Sequence, residues 1–179
     1  MTRSVVLRGP VLTQSGYGVH ARQIARWLLE RHDVDVCFVA TPWGDTPWLL
    51  DQNACSGLVG EIMKRSVSPE AASKKDVSIQ LQLPNEWDAK LSRVNVGVTA
   101  AVETDRCHPD WIAACNSMDA IIVPSQHSAA SLTNTGAIVK PLHIIPEAFS
   151  DAITLPELDR KSTRLNSSHV SESRMPSSA

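Results

Sequence analysis

An α/β domain, a parallel sheet covered by helices on both faces, is predicted by three features of the sequence. Short apolar runs closed by breakers recur along the chain, stretches of helical apolar spacing lie between them, and groups able to bind a ligand cluster just after the runs. Strands that alternate with helices specify a parallel sheet with both faces covered. In such sheets ligands bind in the crevice at the carboxyl ends of the strands.

The first strand is Ser4 to Gly9, whose Val5-Val-Leu7 run is closed by Gly9-Pro10, the pattern of a fully buried parallel strand. After a loop, Gln14-Ser-Gly-Tyr-Gly18 leads into a helix over Val19 to His32, where Val19, Ile24, Trp27, Leu28 and Leu29 recur at helical spacing. Val34 to Ala40 is the second strand. Thr41 to Asp51, with two prolines and two tryptophans, is a loop or a short helix, Cys55 to Lys64 a helix, and Arg65 to Asp76 a polar connection.

Val77-Ser-Ile-Gln-Leu-Gln-Leu83 alternates apolar with polar residues and predicts a strand with one face less buried. Val94 to Val102 follows as a strand, and Pro109 to Asn116 as a helix with proline in its favoured first turn. Ala120 to Val123 is a strand, and Ser125 to Thr135 a helix with Ser125 at the N-cap and Gly136 just past the end. Leu142 to Pro146 is the last strand. No internal repeat is visible.

At 179 residues, 42% of them hydrophobic, the chain is long enough for one domain with a sizeable core and short for two. Its net charge of -2 lacks the basic surplus of a nucleic-acid binder, and Lys64-Arg65 and Lys74-Lys75 are isolated pairs. No apolar run approaches the roughly 18 residues of a membrane span, so no transmembrane segment is expected. A cytoplasmic protein is the expectation, with peripheral membrane association left open through its ligand. Cys37, Cys55, Cys107 and Cys115 are scattered as in a reduced compartment, and Cys107, His108 and Cys115 match no common zinc spacing. No metal site is expected.

The domain is read as residues 1–153, with a linker beginning over 154–159. From Arg160 onward the character changes, with seven serines in twenty residues and no apolar periodicity. This segment, 160–179, is expected to stay disordered. It resembles translated adaptor or vector sequence, the alternative being a native serine-rich linker. It holds four of the chain's 17 Lys and Arg but one of its 19 acids, so the preceding body is the more acidic part.

Gly16-Tyr-Gly18-Val-His-Ala21 matches G-x-G-x-x-[GA], the dinucleotide fingerprint. Six residues, Pro10 to Ser15, separate it from the first strand, and the second strand ends in Ala40-Thr-Pro-Trp43 without the ribose-binding acid of that unit. Glycines here let a phosphate or sugar approach the backbone, and the helix that follows offers free N–H groups. Ser15, Gly16, Tyr17 and Gly18 are therefore candidate substrate or phosphate-binding residues, and the alternative is a turn that only shapes the chain.

Glu103, Thr104 and Asp105 follow the strand read to Val102, which puts them at the carboxyl edge of the sheet. Carboxylates there can accept hydrogen bonds from sugar hydroxyls. Glu103 and Asp105 are candidate catalytic groups and Thr104 a candidate binding group. Ser125 is a candidate ligand, or a helix cap; Asp105 could cap the next helix, and Trp111 could be core or a sugar platform.

The run Glu103-Thr-Asp-Arg, followed by Pro109-Asp-Trp111, Cys115-Asn116, Met118-Asp119, Val123-Pro-Ser125, Gly136 and Ile144-Ile-Pro-Glu147, resembles the W-E-T-D...P-x-W...N...D-x-[VI]-x-V-P-S...G...V-I-P pattern of family-four-type retaining glycosyltransferases. With the glycine loop, the resemblance covers Val5 to about Ile153. Val102 stands where many relatives carry an aromatic residue, and Glu147-Ala-Phe149 where a glycine-containing hinge is usual. Relatives often place a histidine in the cleft, for which His20 and His108 are candidates.

The resemblance implies the amino-terminal, acceptor-side half of a two-domain GT-B architecture, each half Rossmann-like. It implies hexosyl transfer from a nucleotide-sugar to a glycan, lipid or protein acceptor with retention of anomeric configuration, and no cofactor or required metal. The donor grip, a basic pair with an E-x(7)-E motif, belongs in relatives to a carboxy-terminal domain, so the 179-residue chain is expected to be inactive alone. Two other classes remain open: a dinucleotide-dependent enzyme, and a noncatalytic α/β domain that binds a partner through the cleft.

Overall fold

Strand β1 (Arg3–Gly9) lies between β2 (Val34–Ala40) and β3 (Lys75–Leu81), all parallel, and β3 continues through β4 (Ser92–Val98) and β5 (Ala120–Val123) to β6 (Leu142–Ile144). The order is β2-β1-β3-β4-β5-β6. These relations come from a computed structural model that describes residues 2–148. The linker read at 154–159 and the segment 160–179 lie outside the described residues, as does the end of the domain read to 153.

Connecting the strands are α1 (Gly16–Leu29), α2 (Leu58–Lys64), the four-residue α3 (Pro69–Ala72), α4 (Asp110–Ser117) and α5 (Gln126–Thr133). Alternate residues of a strand face opposite sides, and the apolar pattern uses both. Val5 and Leu7 pack with Phe38, Leu28 and Ile62 under α1 and α2, whereas Val6 packs with Val39 and Ala72 of α3 on the reverse face. Ile121 and Val123 bury Cys115 of α4 and Leu132 of α5. The chain is a Rossmann-like α/β domain with helices on both faces, as the sequence predicts. Each fully buried leucine or phenylalanine contributes about 1.5–3 kcal/mol.

From β1 the chain winds outward to β2, then crosses back to β3 and winds the other way to β6. The reversal leaves a crevice at the carboxyl ends of β1 and β3, the position where open sheets of this type receive ligands.

Other elements shift by up to three residues at their ends, a short α3 lies in the stretch read as a polar connection, and three further readings are corrected. Helix α1 begins at Gly16 instead of Val19, because the Ser15 side chain accepts a hydrogen bond from Gly18 N at 2.9 Å and caps the helix there. Strand β4 ends at Val98 instead of Val102. Beyond Thr99 the backbone leaves the ladder: Ala100 N donates to the Tyr17 hydroxyl, Ala101 N donates to the Thr99 hydroxyl, and Ser128 Oγ donates to the Ala100 carbonyl. Ala101 takes a left-handed φ of 61°, which cannot continue a strand.

The third correction concerns β3. Its polar face is as buried as its apolar one, since Ser78 and Gln80 are fully enclosed. Gln80 Nε2 donates to Ser78 Oγ and the Asp88 carbonyl, and Gln80 Oε1 accepts from Asp88 N and Arg8 Nη1. Ser78 Oγ donates to Asn95 Oδ1, and Asn95 Nδ2 holds the Ala89 and Ser92 carbonyls. The alternation therefore encodes a hydrogen-bonding template for the segment between β3 and β4. Trp87 of that segment lies against Gly97, where an added β-carbon would come within 2.6–2.7 Å of its ring.

Backbone from outside the sheet covers β2: Phe38 N donates to the Arg65 carbonyl and Val67 N to the Phe38 carbonyl. The opposite margin, β6, is three residues long and lies between Pro141 and Pro146. No helix among the described residues is long and apolar enough to cross a membrane.

Candidate functional site

A cleft of about 450 Å³ opens at the carboxyl edge of the sheet. It is assembled from residues that follow different strands: Tyr17 after β1, Trp43 after β2, Leu83 after β3, Ala100 to Glu103 after β4, and Pro124, His127 and Ser128 after β5. The parallel fold brings these loops to one edge although they are far apart in sequence.

Tyr17 is the keystone of the arrangement. Its ring stacks on Trp43 with centroids 4.0 Å apart and planes 18° from parallel. Its hydroxyl accepts from Ala100 N at 2.9 Å and lies 3.2 Å from Thr99 Oγ1. The glycine loop and the segment leading to the acidic tripeptide are thus tied together by one phenol. Burial raises the Tyr17 pKa above its ordinary value, opposed by the hydrogen bonds to Thr99 and Ala100 and reinforced by the charges of Glu147 and Glu103.

One turn along α1, His20 Nδ1 lies 3.2 Å from Glu147 Oε1. Burial lowers the pKa of this histidine and outweighs the attraction of Glu147. The imidazole therefore charges less readily than a free histidine beside the Glu147 carboxylate. In the cleft lining His127 Nε2 is 3.1 Å from the Glu103 carbonyl oxygen and holds the backbone that carries the carboxylate.

The other sequence-predicted residues divide clearly. Glu103 lines the cleft with an exposed side chain. Thr104 and Asp105 do not: the Thr104 hydroxyl donates to the Arg106 carbonyl, and the Asp105 carbonyl accepts from Asn134 Nδ2. Ser15 and Ser125 are spent as helix caps, Ser125 Oγ accepting from Ser128 N at 3.1 Å. Gly16 is open on its Cα face, whereas a β-carbon at Gly18 would meet Thr13 Oγ1 at 2.8 Å and the Pro10 carbonyl at 3.0 Å, besides the Thr13 carbonyl. Gly18 is required by packing of the loop, which buried Arg22 fastens through the Val11 and Thr13 carbonyls.

Of the histidines expected near a cleft, His20 is beside it and His108 is not: His108 Nδ1 accepts from Asp110 N at the start of α4. Cys115 is buried in the core with its thiol pKa pushed up to about 12, and Cys107 Sγ lies 3.5 Å from the Thr135 hydroxyl. Among the described residues no three His, Cys, Asp or Glu side chains are grouped to hold a metal ion.

Trp43, Leu83 and His127 of the lining, and Glu147 beside His20, carry no motif in the sequence that marks them as site residues. Their shared signal is position: each stands within a few residues of the carboxyl end of a strand, or in the first turn of the helix that follows. A second, shallower concavity of about 390 Å³ lies between α1 and α2, lined by Arg26, Glu30, Cys55 and Glu61. It belongs to the far end of α1, about 20 Å of helix away from Gly16. No protein-family model, curated protein or solved structure matches the chain.

Proposed function

We propose that this chain is the acceptor-side, amino-terminal domain of a family-four-type retaining glycosyltransferase, which transfers a hexose from a nucleotide-sugar to an acceptor hydroxyl. The observation that carries the reading is the Tyr17 bridge, by which the glycine loop and the segment ending in Glu103 become walls of one cleft. These are the two sequence features on which the resemblance rests most.

In this reading the acceptor lies against the outer face of the stacked Tyr17 and Trp43 pair, a surface that suits the C–H face of a sugar. Glu103 accepts a hydrogen bond from an acceptor hydroxyl and orients it, and His127 positions Glu103 through the backbone. Stabilisation of the departing diphosphate dominates such a reaction and comes from cations and helix N-termini aimed at the phosphates. That part falls to a second domain, so the chain alone binds carbohydrate and transfers nothing measurable.

The dinucleotide alternative is less well supported by the same geometry. Gly18 is occupied by contact with its own loop, and β2 ends at Ala40 without an acid. Titration of the chain with neutral saccharides, nucleotide-sugars and NAD, followed by tryptophan fluorescence, separates the readings. Carbohydrate binding that falls at least about fivefold in Glu103→Ala is the expected result, equivalent to loss of about 1 kcal/mol of hydrogen bonding. Saturable NAD binding tighter than any saccharide would transfer the assignment to a dinucleotide enzyme, and sugar transfer by the chain alone would refute the division of labour.

A further inference from the structure

The electrostatics of the cleft narrow the chemistry of its ligand. Among the described residues that line it, none is lysine or arginine, whereas Glu103 is on its wall. Outside the lining, Glu147 adds a second carboxylate, held by His20 one turn along α1 from Tyr17. Burial disfavours the charged form of His20, which offsets that charge less than a free imidazolium would, and both carboxylates act on the Tyr17 hydroxyl. The opposing contributions are the N-termini of α1 at Gly16 and of α5 at Gln126, each equivalent to about half a positive charge. The two carboxylates together outweigh both termini, and no lysine or arginine among the described residues lines the cleft, so its field is negative.

We propose, resting on the carbohydrate reading above, that the ligand of this cleft is a polyhydroxylated compound bearing a protonated amine, of the amino-sugar class. Its ring lies across the Tyr17 and Trp43 pair, and its ammonium group sits beside Glu103, within the field of Glu147. A cation beside the outer face of this stacked pair gains from it as well as from the carboxylates. A phosphorylated acceptor meets like charge there and is disfavoured.

The test compares glucose, glucosamine, glucose 6-phosphate and putrescine as ligands of the 179-residue chain at about pH 7, following the backbone amides of Ala101, Val102 and Glu103 by NMR. Glucosamine is expected to bind about fivefold more tightly than glucose, the scale of one exposed ion pair, with glucose 6-phosphate weakest. That advantage should shrink at high salt and vanish in the double variant Glu103→Gln, Glu147→Gln. Equal or tighter binding of glucose 6-phosphate, or an amine advantage that survives the double variant, overturns the proposal and leaves the carbohydrate reading intact. Putrescine shifting these amides while neither sugar does overturns the carbohydrate reading and the amino-sugar assignment with it.

Discussion

Replacing Tyr17 by phenylalanine removes one oxygen and tests whether the cleft is held by the phenol. Thr99 Oγ1 keeps a partner in Ala101 N, so the change leaves a single orphan, the half-buried Ala100 N–H. An unmatched buried donor costs about 1–3 kcal/mol, and partial access of water puts the expectation at about 1–2 kcal/mol. The stack on Trp43 survives in Tyr17→Phe but not in Tyr17→Ala, which forfeits a further 0.5–1.5 kcal/mol or so of ring pairing besides apolar contact.

For a chain of this size, about 1–2 kcal/mol corresponds to a fall in Tm of roughly 2–8 °C. Thermal unfolding supplies the magnitude and amide hydrogen exchange supplies the location, since Ala100 should lose protection while the amides of β1 do not. The raised Tyr17 pKa adds a signature with a definite sign. Stability that depends on the neutral phenol is present below pH 10 and is lost as pH rises through the higher folded value. Tyr17→Phe should therefore remove that part of the alkaline instability. Unchanged Tm together with unchanged exchange at Ala100 would refute the bridging role of the hydroxyl.

Gly97→Ala should destabilise by about 1–3 kcal/mol, because Trp87 is anchored through Asp88 and cannot swing away, and denaturant unfolding should find the cost largely abolished in a Trp87→Ala background. The two glycines of the loop should differ: Gly16→Ala is expected to be neutral or stabilising by a few tenths of a kcal/mol, and Gly18→Ala destabilising by about 2 kcal/mol or more, as read by chemical denaturation. For His20 the folded pKa lies below 6.5, so its contribution to stability is present above pH 6.5 and lost as pH falls through the lower folded value. His20→Gln should flatten that part of the stability profile between about pH 7 and 5, and an unaltered profile would exclude His20 as its source.

The strands were legible in the sequence because burial on two faces writes uninterrupted apolar runs, as in Val5-Val-Leu7 and Ala120-Ile-Ile-Val123. The Ser125 cap was legible for a local reason as well, since its hydroxyl serves a backbone group three residues on. Ser78 and Gln80 mark the limit of pattern reading. Alternation reports polarity, and a polar face can be satisfied by protein as fully as by water. The end of β4 is not written in Val98 to Val102, which contains nothing that forbids a strand; the break comes from Tyr17 and Ser128, both distant in sequence. The cleft was half visible. Tyr17 and Glu103 stood in motifs, while Trp43 and His127 acquire their place only when strands far apart in sequence align.

The margins of the sheet bear on how the molecule behaves when concentrated. A bare row of amide and carbonyl groups is a template onto which a second chain can add and start a fibre. At β2 that row is capped by the Arg65 and Val67 backbone, and at β6 it is only three residues long, flanked by rings that offer no donor. Among the described residues, exposed Val139, Ile144 and Ile145 sit next to a register of only three residues, a short template for any added strand.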